Sequence, residues 1–274
     1  MAAWRFSPCV PESKPTNAMS FALASLAVVT LSPAAVLLWT VVLPKPELSI
    51  LAIGSAFVWL LAIVVCAALW WATAALEVLP RLAVTVVLGV VVQEASRGLT
   101  YILYTRLLRG LQSVGLQPTR GNLSALHRMA PAAVANGVGI GVVQTVVMYG
   151  DMSGRALQPG SLYTEACESL SLFAVDALCS LGMLLLNVLL SIMGWTCAYP
   201  QRSRKWIGSI VGLHLLASAS TLLNSAEVYP TNGCAVALPC LFGSVGLAGL
   251  LTLCAVAGSL RSCSASLETV GSRP

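Results

Sequence analysis

In a chain that is 57% apolar and only 9% charged, few residues can do chemistry, and most of those lie inside apolar runs. The densest group is Val91-Val92-Gln93-Glu94-Ala95-Ser96-Arg97. Glu94 and Arg97 stand three apart, on one side of a helix, so they can pair with each other. Leaving either charge alone in hydrocarbon costs about 3 kcal/mol on insertion scales and more in other estimates. The pair either closes on itself or also reaches a neighbouring helix, and its spacing does not choose between the two. His214, in Gly212-Leu213-His214-Leu215-Leu216, brings an imidazole that donates one hydrogen bond and accepts another. Asn187 and Gln144 are amides in two further apolar runs and are candidate partners for it, because an unpaired polar group in hydrocarbon is costly. Gln93, Glu94, Arg97, Asn187 and His214 are therefore expected to form an intramembrane polar network. Asp176 falls near the end of its run, where water or headgroups can solvate it, and is given no role.

These residues do not add up to a reaction. An intramembrane aspartyl protease needs two aspartates on separate helices, a serine type needs an exposed nucleophile with a histidine, and a zinc type needs His-Glu-x-x-His. Only Asp176 lies in an apolar run, and His127 and His214 occupy different environments. Gly137-Val138-Gly139-Ile140-Gly141 lacks the strand-turn-helix setting of a phosphate loop. The expectation is a non-enzyme without a metal or a cofactor. Nor does any basic patch interleaved with aromatics point to nucleic acid.

The second chemical feature is steric. Between Met129 and Asp151, Ala133, Gly137 and Gly141 recur every four residues, with Gly139 between the last two. That interval puts three small residues on one helix face, where another backbone can approach closely and pack by van der Waals contact. Ala133, Gly137 and Gly141 are read as a helix-packing or partner interface; the stretch alone is equally compatible with ordinary core packing inside a bundle.

The elements that must position these groups are membrane helices. A soluble domain carries about a quarter charged residues, and a span needs about 20 predominantly apolar ones. Spans are expected at about 19–43, 50–76, 80–108, 129–150, 169–196, 206–224 and 236–258, forming an all-α, seven-helix membrane domain over residues 19–262. Pro44-Lys45-Pro46-Glu47 and Glu77 with Pro80-Arg81 close the first two hairpins, since proline stops helices and charges resist hydrocarbon. Residues 1–18 read as a flexible tail and residues 263–274 as a second tail. The run from Met19 is long enough to span and shows no clear cleavage site, so it reads as a retained first helix.

Lysine and arginine set the orientation. Lys45, Arg106, Arg109, Arg120, Arg128, Arg202, Arg204, Lys205, Arg261 and Arg273 fall on one side, against Arg5, Lys14, Arg81 and Arg155 on the other. Basic loops stay cytoplasmic, so the N-terminus is expected to be exoplasmic and the C-terminus cytosolic. The sequon Asn122-Leu123-Ser124 then lies in the cytosol and is expected to be unmodified. Of the nine cysteines, Cys167, Cys234 and Cys240 approach the exoplasmic side and can form a bridge, with the pairing left open.

Taken in order, Phe57-Val58-Trp59-Leu60, Gln93-Glu94-x-x-Arg97 with Tyr101 and Tyr104, Ala133-xxx-Gly137-xxx-Gly141 ahead of Asp151, His214-Leu215-Leu216-Ala217-Ser218 with Thr221 to Asn224, and Gly258-Ser259-Leu260-Arg261-Ser262 make the chain resemble the anterior-pharynx-defective family. That family is the seven-span scaffold subunit of γ-secretase, and the resemblance covers roughly residues 20–262. It implies a non-catalytic assembly subunit that supports presenilin processing, the cleavage of membrane proteins and Notch signalling. The implied partners are presenilin, which carries the catalytic aspartates, nicastrin, the presenilin enhancer and membrane lipid. The implied location is the endoplasmic reticulum and Golgi, with the plasma membrane and endosomes beyond. Ala133 replaces the first glycine of the family's glycine helix. Of its paired intramembrane histidines in spans five and six only His214 is found, with Asn187 nearby in span five. The tail before residue 19 has no counterpart there. A seven-span transporter or receptor is the alternative, although no internal repeat of the kind transporters carry is evident.

Overall fold

The computed structural model describes residues 17–114, 125–156, 167, 170–224, 228 and 232–271. The expected tail before residue 17, the sequon at Asn122 and the segment 157–166 lie outside the described residues. Seven helical rods account for nearly all of the rest. They are α1 (Asn17–Leu37, continued by a π-helical turn over Leu38–Val42), α2 (Pro46–Ala72), α3 (Val78–Ser113), α4 (Ala125–Ala156), α5 (Leu172–Met193), α6 (Arg204–Leu222) and α7 (Gly233–Gly271). A second π turn, Gly194–Ala198, and a last α turn, Tyr199–Gln201, prolong α5. The stretches Pro46–Ala72, Val78–Ser113, Met129–Met148, Leu172–Gln201 and Gly233–Ala257 are each long and apolar enough to cross a membrane. The chain is an all-α polytopic membrane protein.

Local chemistry explains the breaks. Pro33 removes a backbone donor inside α1, and the rod ends in the wider turn that Leu43 N closes on Leu38 O at 2.8 Å. Pro46 occupies the first turn of α2, where its missing N–H is harmless. The Ser171 hydroxyl caps α5 by accepting from Ala174 N at 3.3 Å. Arg202 takes a left-handed conformation (φ 49°) that turns the chain out of α5 and into α6. Several helices run past the expected spans. Arg155, expected in a loop, belongs to the last turn of α4, and α7 continues through Gly271, beyond the residue 263 at which a tail was expected to begin. Intrahelical hydrogen bonds do not require hydrocarbon, so a helix need not stop where its apolar run does.

Helix α2 shows how side chains are sorted. Leu48, Ala52, Ser55, Trp59 and Ala62 recur at three- and four-residue steps and are buried, whereas Ile50, Ile53, Phe57 and Val64 face outward, each at least 60% exposed. Apart from Leu48 and Trp59, the bundle-facing residues are small or polar, while large apolar side chains face outward, as expected where the surrounding solvent is lipid. Helix α4 stands at the centre, packed against α5 and α2 and crossed by α1; α7 covers α5 and α6, and α3 bridges α2 and α6. Two cores result. One joins α5, α6 and α7 through residues such as Met183, Leu190, Ile210, Leu213 and Leu241. The other gathers Ala132, Ala133, Ala135 and Trp195 with Ala52 and Leu48.

Candidate functional site

The polar residues of the apolar runs converge between α3, α4, α5 and α6. Glu94 and Arg97 are 8% and 0% exposed, and they form a two-point pair in which Arg97 Nε donates to Glu94 Oε2 at 3.1 Å and Nη2 donates to Oε1 at 3.2 Å. The pair does not close on itself. Arg97 Nη1 also donates to the Asn187 backbone oxygen at 2.8 Å and to Ser191 Oγ at 2.7 Å, and Nη2 donates to Asn187 Oδ1 at 2.8 Å. Three of its five N–H donors are thus spent on α5, an arrangement only a rigid, forked cation can make.

From α6, His214 Nδ1 meets Glu94 Oε1 at 2.5 Å. A carboxylate held by an arginine only accepts, so Nδ1 carries the hydrogen. Trp59 from α2 lies nearly parallel to the imidazole, 11° between planes and 6.5 Å between centroids, with the Arg97 guanidinium carbon 5.9 Å from its indole. Both rings are fully buried. Asn187 completes its own set by donating to Gln144 Oε1 at 2.6 Å and to Met183 O at 3.0 Å.

The network reaches further than the charged residues suggest. Ser191 Oγ donates to Asn136 Oδ1 at 3.1 Å, Asn136 Nδ2 donates to Ser55 Oγ at 2.9 Å, and Ser55 Oγ donates to Leu51 O at 2.7 Å. One hydrogen-bonded path therefore runs from α6 through α3, α5 and α4 to α2. Asn187 and His214 do not bond to each other; they meet through Arg97 and Glu94. Gln93 is not brought in. Its side chain is half-buried, and no bond joins it to these groups among the described residues. The reason is rotation: it stands about 100° around α3 from Glu94. Ser55, Asn136 and Ser191 are the members sequence reasoning missed: serines are ordinary small residues of packed membrane helices, whereas Asn136 stands in an apolar run as Asn187 does, and the same polar signal would have found it.

The small-residue helix forms the second half of the site. A Cβ built on Gly137 would lie 2.6 Å from Val188 Cα and 3.0 Å from Asn187 O, and one on Gly141 would lie 3.2 Å from Leu184 Cγ. Ala133 is fully buried beside Trp195. The close approach expected of Ala133, Gly137 and Gly141 is thus made within the chain, largely by its own α5, so none of the three is an exposed partner surface. Gly139 points the other way, and its Cβ would run into the Ala52 carbonyl of α2. This tight seam brings Asn187 and Ser191 to the position where Arg97 reaches them.

Chemically the arrangement is a clamp. Ser191 donates to an amide rather than to a base, and the only carboxylate in the cluster is committed to Arg97 and His214. An expected cysteine bridge joins Cys167, just before α5, to Cys234 at the start of α7, and leaves Cys240 free.

A family model described as Aph-1 protein matches residues 21–255, a stretch that contains every member of the network and the whole glycine seam. The chain belongs to the Aph-1 family. Among its Aph-1 relatives, gamma-secretase subunit Aph-1 of Drosophila melanogaster is 32% identical over 190 residues, covering 68% of this chain and 74% of the relative. Gamma-secretase subunit APH1-like of Arabidopsis thaliana is 26% identical over 218 residues, covering 79% and 85%. Gamma-secretase subunit Aph-1b of Danio rerio is 26% identical over 204 residues, covering 72% and 76%.

Proposed function

We propose that this Aph-1 protein is a non-catalytic scaffold subunit of a γ-secretase-type intramembrane protease complex, assembling with presenilin, nicastrin and the presenilin enhancer. The observation that carries the reading is the family match across the membrane domain, whose relatives from three organisms bear the name gamma-secretase subunit. The geometry supports it. A bundle whose buried charges are satisfied internally, and whose central helix is locked by backbone-to-backbone contact, has the rigidity a scaffold needs. Its polar cluster also lacks a nucleophile placed beside a base. Catalysis, presenilin maturation and the processing of Notch-like membrane proteins then belong to the assembled complex.

In this reading the N-terminus is exoplasmic and the C-terminus cytosolic. The Cys167–Cys234 bridge supports that orientation, because it lies on the side of the sparse basic residues and disulfides persist in oxidising compartments. The protein resides in the endoplasmic reticulum and Golgi and travels with the complex toward the plasma membrane and endosomes. Affinity purification in mild detergent with identification of the partners is the test. Co-purification of presenilin-like and nicastrin-like proteins is expected, and recovery of the chain alone refutes the reading.

A further inference from the structure

Between α3 and α6 an outward-facing groove is apolar along its length and cationic at one end. On α3, Ala95, Leu99, Ile102 and Arg106 follow at steps of four, three and four residues, so they share one helix face, and all four are exposed. On α6, Arg204, Ile207 and Val211 repeat the pattern. Ala95, Ile207 and Val211 border a pocket of about 210 Å³ with Ile210, Tyr199 and an edge of Glu94. That volume is several times the ~30 Å³ share of one water in the liquid. Glu94 asks nothing of an occupant, because Arg97 and His214 already donate to its two oxygens.

The two walls end at nearly one level. The helices run in opposite directions, since Glu94 meets His214 of α6, while Tyr101, further along α3, meets Tyr199, which precedes α6. At 1.5 Å per residue, Arg106 lies about 18 Å along α3 from that Glu94–His214 contact and Arg204 about 15 Å along α6. Lys205 follows Arg204, and no side-chain hydrogen bond or ion pair holds any of the three among the described residues. Glu47, at the start of α2, acts on Tyr104, about 200° around α3 from Arg106. Basic residues at a span end set orientation, but these also close both walls of one apolar groove. Soluble phosphate would leave the groove bare, and a neutral lipid would leave the cations uncompensated. We propose that the α3–α6 groove holds an acidic glycerophospholipid. Arg106, Arg204 and Lys205 take its headgroup, and an acyl chain lies over Ile102 and Leu99 on one side and Ile207 and Val211 on the other. The proposal needs only a membrane-inserted chain, so it stands or falls apart from the subunit reading.

The test uses the full chain in phosphatidylcholine nanodiscs doped with a phosphatidylserine that carries a photoreactive diazirine on one acyl chain. Peptide mass spectrometry should find the label on Leu99, Ile207 or Val211, and a phosphatidylcholine with the same chain should label them about fivefold less. Arg106→Gln, and separately the pair Arg204→Gln and Lys205→Gln, should lower the phosphatidylserine label about fivefold for each cation lost, whereas Arg81→Gln, at the far end of α3, should not. Ile207→Trp, which fills the groove and spares the cations, should lower it as well. In every variant, label from phosphatidylcholine at Val64, on the outward face of α2, reports an inserted and folded chain. Equal labelling of the groove by the two lipids, or a phosphatidylserine preference that survives all the glutamine substitutions, overturns the proposal. So does competition by deacylated glycerophosphoserine as strong as that of the intact lipid, because the cations would then bind a headgroup without the groove.

Discussion

The α4–α5 seam and the Glu94–Arg97–His214 cluster meet at Asn187 and Ser191, yet different forces hold them. Along the seam, Gly137 brings two backbones so close that a single added carbon has no room, and at Gly141 the same carbon would crowd Leu184 at 3.2 Å. In the cluster, the contacts are hydrogen bonds donated by side-chain tips, and a substitute that keeps the donors in place can keep the contact. The seam is therefore sensitive to volume and the cluster to hydrogen-bonding capacity. Without water, the bundle draws close packing from its smallest residues and specificity from its few polar ones.

The largest expected effect comes from adding volume to the seam. Overpacking typically costs about 1–3 kcal/mol where side chains can shift, but the atoms facing Gly137 are backbone and cannot. Gly137→Leu should abolish recovery of partners while leaving membrane insertion intact, because leucine makes the span more apolar. Pull-down yield and a glycosylation-site topology reporter should separate cleanly. Partners recovered at the unsubstituted level would mean that the seam is not what holds α4 in place.

Breaking the cluster at its hub comes next. Arg97→Ala removes the only cation facing Glu94 in the cluster and strands three acceptors on α5. Removing one partner of a buried ion pair costs about 3–5 kcal/mol. Arg97→Lys keeps the charge but not the fork, so it should recover part of the loss. Thermal unfolding in detergent ranks the three proteins. If lysine matches arginine, charge rather than geometry is what the cluster requires.

The two regions also differed in how far the chain betrayed them. Glu94, Arg97 and His214 were legible because a charge or an imidazole inside an apolar run must find a partner, and the four-residue recurrence of Ala133, Gly137 and Gly141 declared a close-packed face. What periodicity does not specify is the neighbour. It marks a face as small without saying that α5 fills it, and it gives no hint that Gly139, about 200° around the helix from Gly137, meets Ala52 of α2 instead. The same limit explains Gln93, a strong polar signal whose rotation takes it out of the cluster. It explains too why Ser55 and Ser191 went unseen, since a serine becomes polar glue only once a tertiary partner stands opposite.

A smaller effect separates hydrogen bonding from volume at His214. Replacing it by alanine leaves Glu94 without its α6 donor, at about 0.6 kcal/mol and up to ~2 for a membrane hydrogen bond. Assembly should weaken rather than vanish. His214→Gln, which can still donate, should recover most of the complex and of its associated protease activity. A fully assembled His214→Gln complex without activity would contradict a structural role and give the imidazole a part in the chemistry.

The smallest effect is expected at a glycine outside the seam. Gly54 lies on α2 two residues beyond Ala52, but it faces outward, and an added Cβ there meets nothing within 4 Å. Alanine favours a helix over glycine by about 1 kcal/mol, and no contact opposes the extra methyl. Gly54→Ala should therefore leave the unfolding temperature of the isolated chain unchanged or slightly raised, whereas Gly139→Ala, pressed against Ala52 of that same helix, should lower it by several degrees. The pair isolates neighbour from residue type, because both substitutions add the same carbon to a helical glycine. Should Gly54→Ala leave the isolated chain intact yet reduce recovery of the complex, that outward face of α2 contacts a partner rather than lipid, and the contrast between seam and surface would hold for the free subunit alone.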